Sequence, residues 1–159
     1  MPSPPVQLQH YGLIPEFRNI MTSTSQPRKF DRVLPSTLTA YHEFVQEVLT
    51  ALQGYGWSAE ILFGVHMALE ESISNAVRHG NKHDPSKSVH VECELSNKRF
   101  YARITDEGSG YDPTEVPDCC NEENLEVPGG RGLALIRAYM TSVEHCDNGK
   151  CVVLERILD

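Results

Sequence analysis

Three clusters of residues in this 159-residue chain have the types and spacing to do chemistry. The first lies in Ala68-Leu69-Glu70-Glu71-Ser72-Ile73-Ser74-Asn75-Ala76-Val77-Arg78-His79, where Glu71, Asn75 and His79 are four residues apart. On a helix turning about 100° per residue these positions drift by only ~40°, so they line one flank of an apolar stripe. A carboxylate there can take a proton, and an amide oxygen one turn away can ligate a cation. Glu70 lies on the opposite flank and pairs by spacing with Ser74. The helical wheel does not rank the two glutamates by depth; the partner Asn75 favours Glu71.

The second cluster is Asp106-Glu107-Gly108-Ser109-Gly110. Phe100, Ala102, Ile104 and Asp106 share one phase of a strand, so Asp106 points where the apolar residues point and needs a hydrogen-bond donor. Gly108 and Gly110 allow close approach of backbone to a ligand. The third is Gly129-Gly130-Arg131-Gly132, which runs into a helix. Free N–H groups and the positive end of the helix dipole there suit a phosphate, and Arg131 adds a charge. No Gly-Lys-Ser/Thr follows, so this is not a Walker A loop, and no buried strand leads into it as a dinucleotide fingerprint requires. Taken singly, each cluster also fits a plainer role as solvated acids, a turn or a helix start.

The elements that must position these clusters are legible in the periodicity. Residues 1–26, with Pro2, Pro4, Pro5 and Pro15 and then a small polar run, read as a disordered tail, and 27–159 as one domain. Lys29 to Leu34 alternates as a first strand. Pro35-Ser36-Thr37 offers the N-cap of a helix carrying Leu38, Tyr41, Phe44, Val45, Val48, Leu49 and Leu52, stopped by Gly54-Tyr55-Gly56. Ser58 caps a second helix, whose stripe runs from Ile61 to Ala76 and which ends near Gly80-Asn81. Val89–Leu95 and Arg99–Asp106 are period-two strands around a tight turn at Asn97-Lys98. A loop of roughly Gly108 to Pro128 precedes a third helix, Leu133 to Met140. Two last strands flank Asp147-Asn148-Gly149, a strong hairpin signal. The order predicts an α+β fold, a two-layer sandwich of a mostly antiparallel sheet with helices on one face.

Composition excludes several classes. With 14 Lys+Arg against 22 Asp+Glu the net charge is −8, which argues against a general polyanion binder. At 40% hydrophobic and 23% charged the chain is not wholly disordered. No run approaches ~18 apolar residues, and the N-terminus has no secretory pattern, so a cytoplasmic protein is expected, without membrane contact. The five cysteines (Cys93, Cys119, Cys120, Cys146, Cys151) include no CxxC pair, so reduced thiols are expected, and a zinc site is not.

The ordered set of Glu-x-x-x-Asn on a helix, Asp-x-Gly-x-Gly after a strand, a long loop and Gly-x-Gly-Leu opening a helix resembles the Bergerat-type (GHKL, histidine-kinase-like) ATP-binding fold over roughly Pro27 to Ile157. The stretches Ala68–Asn81, Gly108–Pro113 and Gly130–Ile136 are most similar to the stand-alone anti-sigma-factor serine/threonine kinases. The resemblance implies a cytoplasmic ATP- and Mg²⁺-dependent protein serine/threonine kinase, a transcription regulator that phosphorylates an anti-anti-sigma protein and sequesters a sigma factor, and it is compatible with a homodimer. Residue by residue, it implies Glu71 as general base, Asn75 as ligand of Mg²⁺, and Asp106 as acceptor of the adenine amino group. Gly108 and Gly110 would border the base; Gly130, Arg131, Gly132 and Leu133 would meet the phosphates, with His79 a further phosphate contact. Residues 111–129 would form a lid, acidic through Asp112, Glu115, Asp118, Glu122, Glu123 and Glu126. Two alternatives stand beside it: a nucleotide-gated binding module without phosphotransfer, and the catalytic part of a histidine kinase system, since His42-Glu43-Phe44 resembles a phosphoacceptor.

Overall fold

The computed structural model describes residues 26–110 and 130–159. In chain order the elements are β1 (Arg28–Pro35), α1 (His42–Gly54), α2 (Ala59–Asn75), a π-helical turn (Ala76–Gly80), β2 (Ser88–Leu95), β3 (Arg99–Asp106), α3 (Gly130–Tyr139), β4 (Ser142–Cys146), a short 3-10 turn (Asp147–Gly149) and β5 (Cys151–Ile157). The strands make one antiparallel sheet in the order β1-β2-β3-β5-β4. The α+β architecture expected from the sequence is the one observed. Among the described residues no helix is long and apolar enough to cross a membrane.

Alternation decides which face of the sheet is covered. Every second residue of β2 and β3 is buried, namely Val89, Val91, Cys93 and Leu95, then Phe100, Ala102 and Ile104. Onto this face α1 brings Phe44, Val45, Val48 and Leu52, α2 brings Val65, Ala68, Leu69 and Ile73, and α3 brings Ile136. Full burial of side chains of this size contributes about 1.5–3 kcal/mol each. The intervening residues are polar and pair across strands, as in Arg99 Nε to Glu155 Oε1 and His90 Nε2 to Asp31 Oδ1, both 2.6 Å.

Two contacts fix the helices that carry the chemistry. Ser58 caps α2 by accepting the Ile61 N–H, and the indole N–H of Trp57 donates to Ser96 O in the β2–β3 turn at 3.0 Å. Gly64 of α2 meets the Tyr139 ring of α3, where any Cβ would collide, and Phe63 stacks edge-on against the same ring at 5.9 Å. These contacts lay α3 alongside α2.

Three expectations are corrected. The first helix begins at His42 and not after Pro35-Ser36-Thr37, because Ser36 is buried and its hydroxyl accepts a hydrogen bond from Asn81 instead of capping. Helix α3 begins at Gly130, so the glycine stretch is its first turn and not a loop before it. The expectation of reduced thiols fails for Cys146 and Cys151, which form a disulfide between β4 and β5. Strand pairing sets these two residues opposite one another, an adjacency that linear spacing does not reveal. Cys93 is a free, buried thiol, and burial pushes it up to about 12. Cys119, Cys120, residues 1–25 of the expected tail (1–26) and the whole of the expected lid (111–129) lie outside the described residues.

Candidate active site

The three clusters meet where α2 gives way to β3. After Asn75 the helix widens into a π turn, in which the Asn81 N–H reaches back five residues to Ala76 O at 2.8 Å. Such turns recur at functional sites. Here the turn delivers Asn81, which is 0% exposed and ties together three distant segments. Its amide nitrogen donates to Ser36 Oγ (3.0 Å) and Ser88 O (2.8 Å), and its amide oxygen accepts the Glu107 N–H (2.8 Å). The start of the Asp106-to-Gly110 turn is thereby anchored to the end of the helix. The Ser88 N–H also donates to the Glu107 carboxylate.

Asp106 is 8% exposed and faces inward, as its phase on β3 requires. Its Oδ1 accepts the Gly108 N–H at 2.8 Å. Burial pushes its carboxyl above the usual 3.8, an effect partly offset by the Gly108 bond and by Lys150 and Lys87. Two glycines make room for it. A Cβ on Gly80 would enter the Asp106 carboxylate, and one on Gly108 would strike Gly80 O. Only hydrogen at both positions allows the helix end and the strand turn to close this tightly. Gly110 adopts φ +83° beneath Asn148 O.

A small cleft, about 30 Å³ in cavity volume, opens beside Asp106. Its walls include Ser72, Asn75 and Ala76 from the helical segment, Ile104 and Asp106 from β3, Leu133 and Ile136 from α3, and His145, Lys150 and Cys151 from the last hairpin. The surface mixes apolar walls with a few converging polar groups, the usual make-up of a small-molecule site. Ser72 Oγ is buried here without a hydrogen-bond partner among the described residues, an orphan that a polar ligand atom would satisfy. Burial, with the Arg137 guanidinium, pushes the His145 imidazole below its ordinary value.

The two glutamates part company. Glu70 Oε1 faces His66 Nε2 at 3.0 Å and His42 Nδ1 at 3.4 Å, on the α1 side of the helix. Glu71 instead lies against α3, its carboxylate filling the space that a Cβ on Gly132 would need. Of the residues singled out in the sequence, Asn75, Asp106 and Leu133 thus line the cleft. Gly108 and Gly110 are outside its lining, packed on Gly80 O and Asn148 O, and Gly130 and Gly132 lie in the first turn of α3, with Glu71 beside Gly132. His79 is exposed on the π turn, outside the cleft lining. The Arg131 side chain is outside the described part. Ser72, Gly80 and Asn81 had no assigned role in the sequence reading. A small polar residue within Glu-x-x-x-Asn is a signal for Ser72, whereas Asn81 is marked only as the helix end and as the last residue of the stretch that resembles the kinase family.

Residues 34–156 match the family model described as the histidine kinase-like ATPase domain. The chain belongs to that family. It is also similar to proteins of named activity. It is 28% identical over 136 residues to the serine-protein kinase RsbW of Listeria innocua, covering 77% of this chain and 85% of the relative. Against the serine/threonine-protein kinase BtrW of Bordetella bronchiseptica the identity is 28% over 91 residues, 56% of this chain and 64% of BtrW, so the match spans just under two thirds of that relative. The anti-sigma F factor of Oceanobacillus iheyensis is 30% identical over 83 residues, 50% of this chain and 56% of that one. Family and relatives together point to ATP as the nucleotide used.

Proposed function

We propose that this chain is an ATP- and Mg²⁺-dependent protein serine/threonine kinase that acts as an anti-sigma factor, phosphorylating a serine of an anti-anti-sigma protein and sequestering a sigma factor when that serine is already modified. The observation that carries the reading is the convergence of Asp106, Asn75 and the orphaned Ser72 hydroxyl on one cleft, with Glu71 beside the first turn of α3.

In this reading Asp106 accepts the adenine amino group, with its inward carboxylate held by Gly108. The first turn of α3 turns its unpaired N–H groups and positive dipole end toward the triphosphate. Mg²⁺, held by the Asn75 amide oxygen, would neutralise charge on the triphosphate. Glu71 takes the proton of the attacking serine hydroxyl as its oxygen bonds to the γ-phosphorus and the bond to ADP breaks. Glu70 is engaged by His66 and His42 and has no part in the transfer.

The test is a pull-down from native cytosol with and without Mg-ATP, with phosphosites mapped on the proteins retained. A serine phosphorylated by wild type and not by Glu71→Gln is the expected result. Retention of a partner with no phosphate transferred under any condition would instead identify a nucleotide-gated binding module.

A further inference from the structure

The proposed transfer makes no use of a reactive pair at the edge of the cleft. Cys146 ends β4 and Cys151 opens β5; they are cross-strand partners with Cα atoms 4.9 Å apart, well within the roughly 4.4–6.8 Å that disulfides span. The bond encloses only residues 147–150. Closing so short a loop removes little entropy from the unfolded chain, so global stability is a weak reason for it.

Its local consequences are larger. Asp147 and Asn148 both hold left-handed backbone, at φ 50° and 53°, followed by Gly149 at φ 82°. Asp and Asn tolerate that conformation better than other side-chain-bearing residues, and the cross-strand bond at the base of the turn adds to the constraint their turn chemistry supplies. In this form the loop grips the cleft at three points. Asn148 O packs on Gly110, Lys150 O accepts the Asp106 N–H at 2.9 Å, and Lys150 and Cys151 line the cleft. Cys146 is half-buried and Cys151 only 1% exposed, so a reagent meets Cys146 first.

We propose that Cys146 and Cys151 form a reversible thiol–disulfide modification site whose state sets the affinity of the cleft for nucleotide. The inference rests on the nucleotide reading given above. The oxidant is a low-molecular-weight disulfide. The Cys146 thiolate attacks its S–S bond and expels one reagent thiolate. The Cys151 thiolate then attacks the sulfur of Cys146 in the mixed disulfide and expels the second. The two cysteine protons end on two reagent thiols, and two equivalents of thiol reverse the sequence. With the bond closed, the loop is held in its left-handed form against Asp106 and Gly110. With it open, the loop relaxes and the Asp106 anchor loosens.

The experiment equilibrates the full chain in glutathione buffers of graded poise and reads two things. Trypsin cuts after Lys150 and separates Cys146 (peptide 138–150) from Cys151 (peptide 151–156), so the linked pair is countable by mass. Mg-ATP affinity is measured by calorimetry on the same samples. The expected result is a linked pair that forms and breaks with poise, and nucleotide bound about 5- to 20-fold more tightly when it is closed, a coupling of ordinary allosteric size. Cys146→Ser should bind with one affinity at every poise. Several results would overturn the proposal: no linked pair at any poise, a link to the peptide carrying Cys119 and Cys120 instead, or equal affinity in both states. So would one equivalent of Zn²⁺ retained by the reduced chain and lost in Cys146→Ser, since an Asp147 carboxylate oxygen and the two sulfurs lie within 4.8 Å of one another. Peptide mapping is independent of nucleotide. If neither state binds Mg-ATP while the pair still cycles, the nucleotide reading has failed and the coupling with it, whereas the thiol chemistry stands.

Discussion

At one end of the cleft Asp106 is 8% exposed, with Gly108 donating to its carboxylate and Asn81 holding the next residue through a fully buried amide. At the other end of the proposed site, outside the cleft lining, Glu71 meets α3 across Gly132, and that meeting depends on how α3 docks on α2 through Gly64 and Tyr139. The first end is built from hydrogen bonds that fold with the core, so it is in place before any ligand arrives. The second is a junction between two helices. Changes at the base end should therefore alter affinity and stability together, while changes at the transfer end should alter rate and leave binding nearly intact.

The largest effect expected is at the transfer end. Glu71→Gln should lower phosphotransfer by about 10²–10⁴-fold, the usual contribution of a positioned base, with Mg-ATP affinity little changed. Single-turnover kinetics beside calorimetry checks both halves, and a parallel loss of binding would erase the distinction between the ends. Next comes Asn81→Ala at the base end. It strands the Glu107 N–H and removes two further bonds, so a loss of roughly 2–4 kcal/mol in chemical denaturation is expected. Trp57, buried and the only tryptophan, reports the transition.

A smaller effect follows from the sign of the Asp106 shift. Burial raises its folded value above 3.8, so the folded state holds this proton to higher pH than the unfolded chain. Its ionisation therefore opposes folding, fully above the folded value and not at all below about 3.8. Asp106→Asn should match or exceed wild-type thermal stability at neutral pH while binding Mg-ATP more weakly, and the stability difference should vanish in acid. In wild type, affinity should fall as acid protonates Asp106, beginning above pH 3.8. The smallest effect is Glu70→Ala, which should change transfer less than about twofold and stability within ~0.5 kcal/mol, as for an ordinary surface change. A large loss there would mean that the wrong glutamate has been placed at the junction.

Much of this architecture was legible in the chain because it is periodic. The burial of β2 and β3 follows strict alternation, α2 follows its stripe from the Ser58 cap, and Asn148-Gly149 marks the last hairpin. The inward phase of Asp106 came from the same alternation. What was not legible depends on long-range closure. Ser36 looked like a cap because its partner Asn81 is 45 residues away. Cys146 and Cys151 looked unrelated because their bond needs the hairpin register. The need for glycine at Gly80 arises only once Asp106 has folded beneath it.

The central claim is that Asp106 reads the amino group of adenine in this cleft. Calorimetric titration of wild type with Mg-ATP and with Mg-inosine triphosphate, which carries a carbonyl oxygen in place of that amino group, tests it most directly. A buried carboxylate facing that oxygen has no proton to accept, so the inosine nucleotide should bind about 100-fold or more weakly, and Asp106→Asn should abolish most of that preference. Equal affinity of wild type for the two nucleotides would contradict the account.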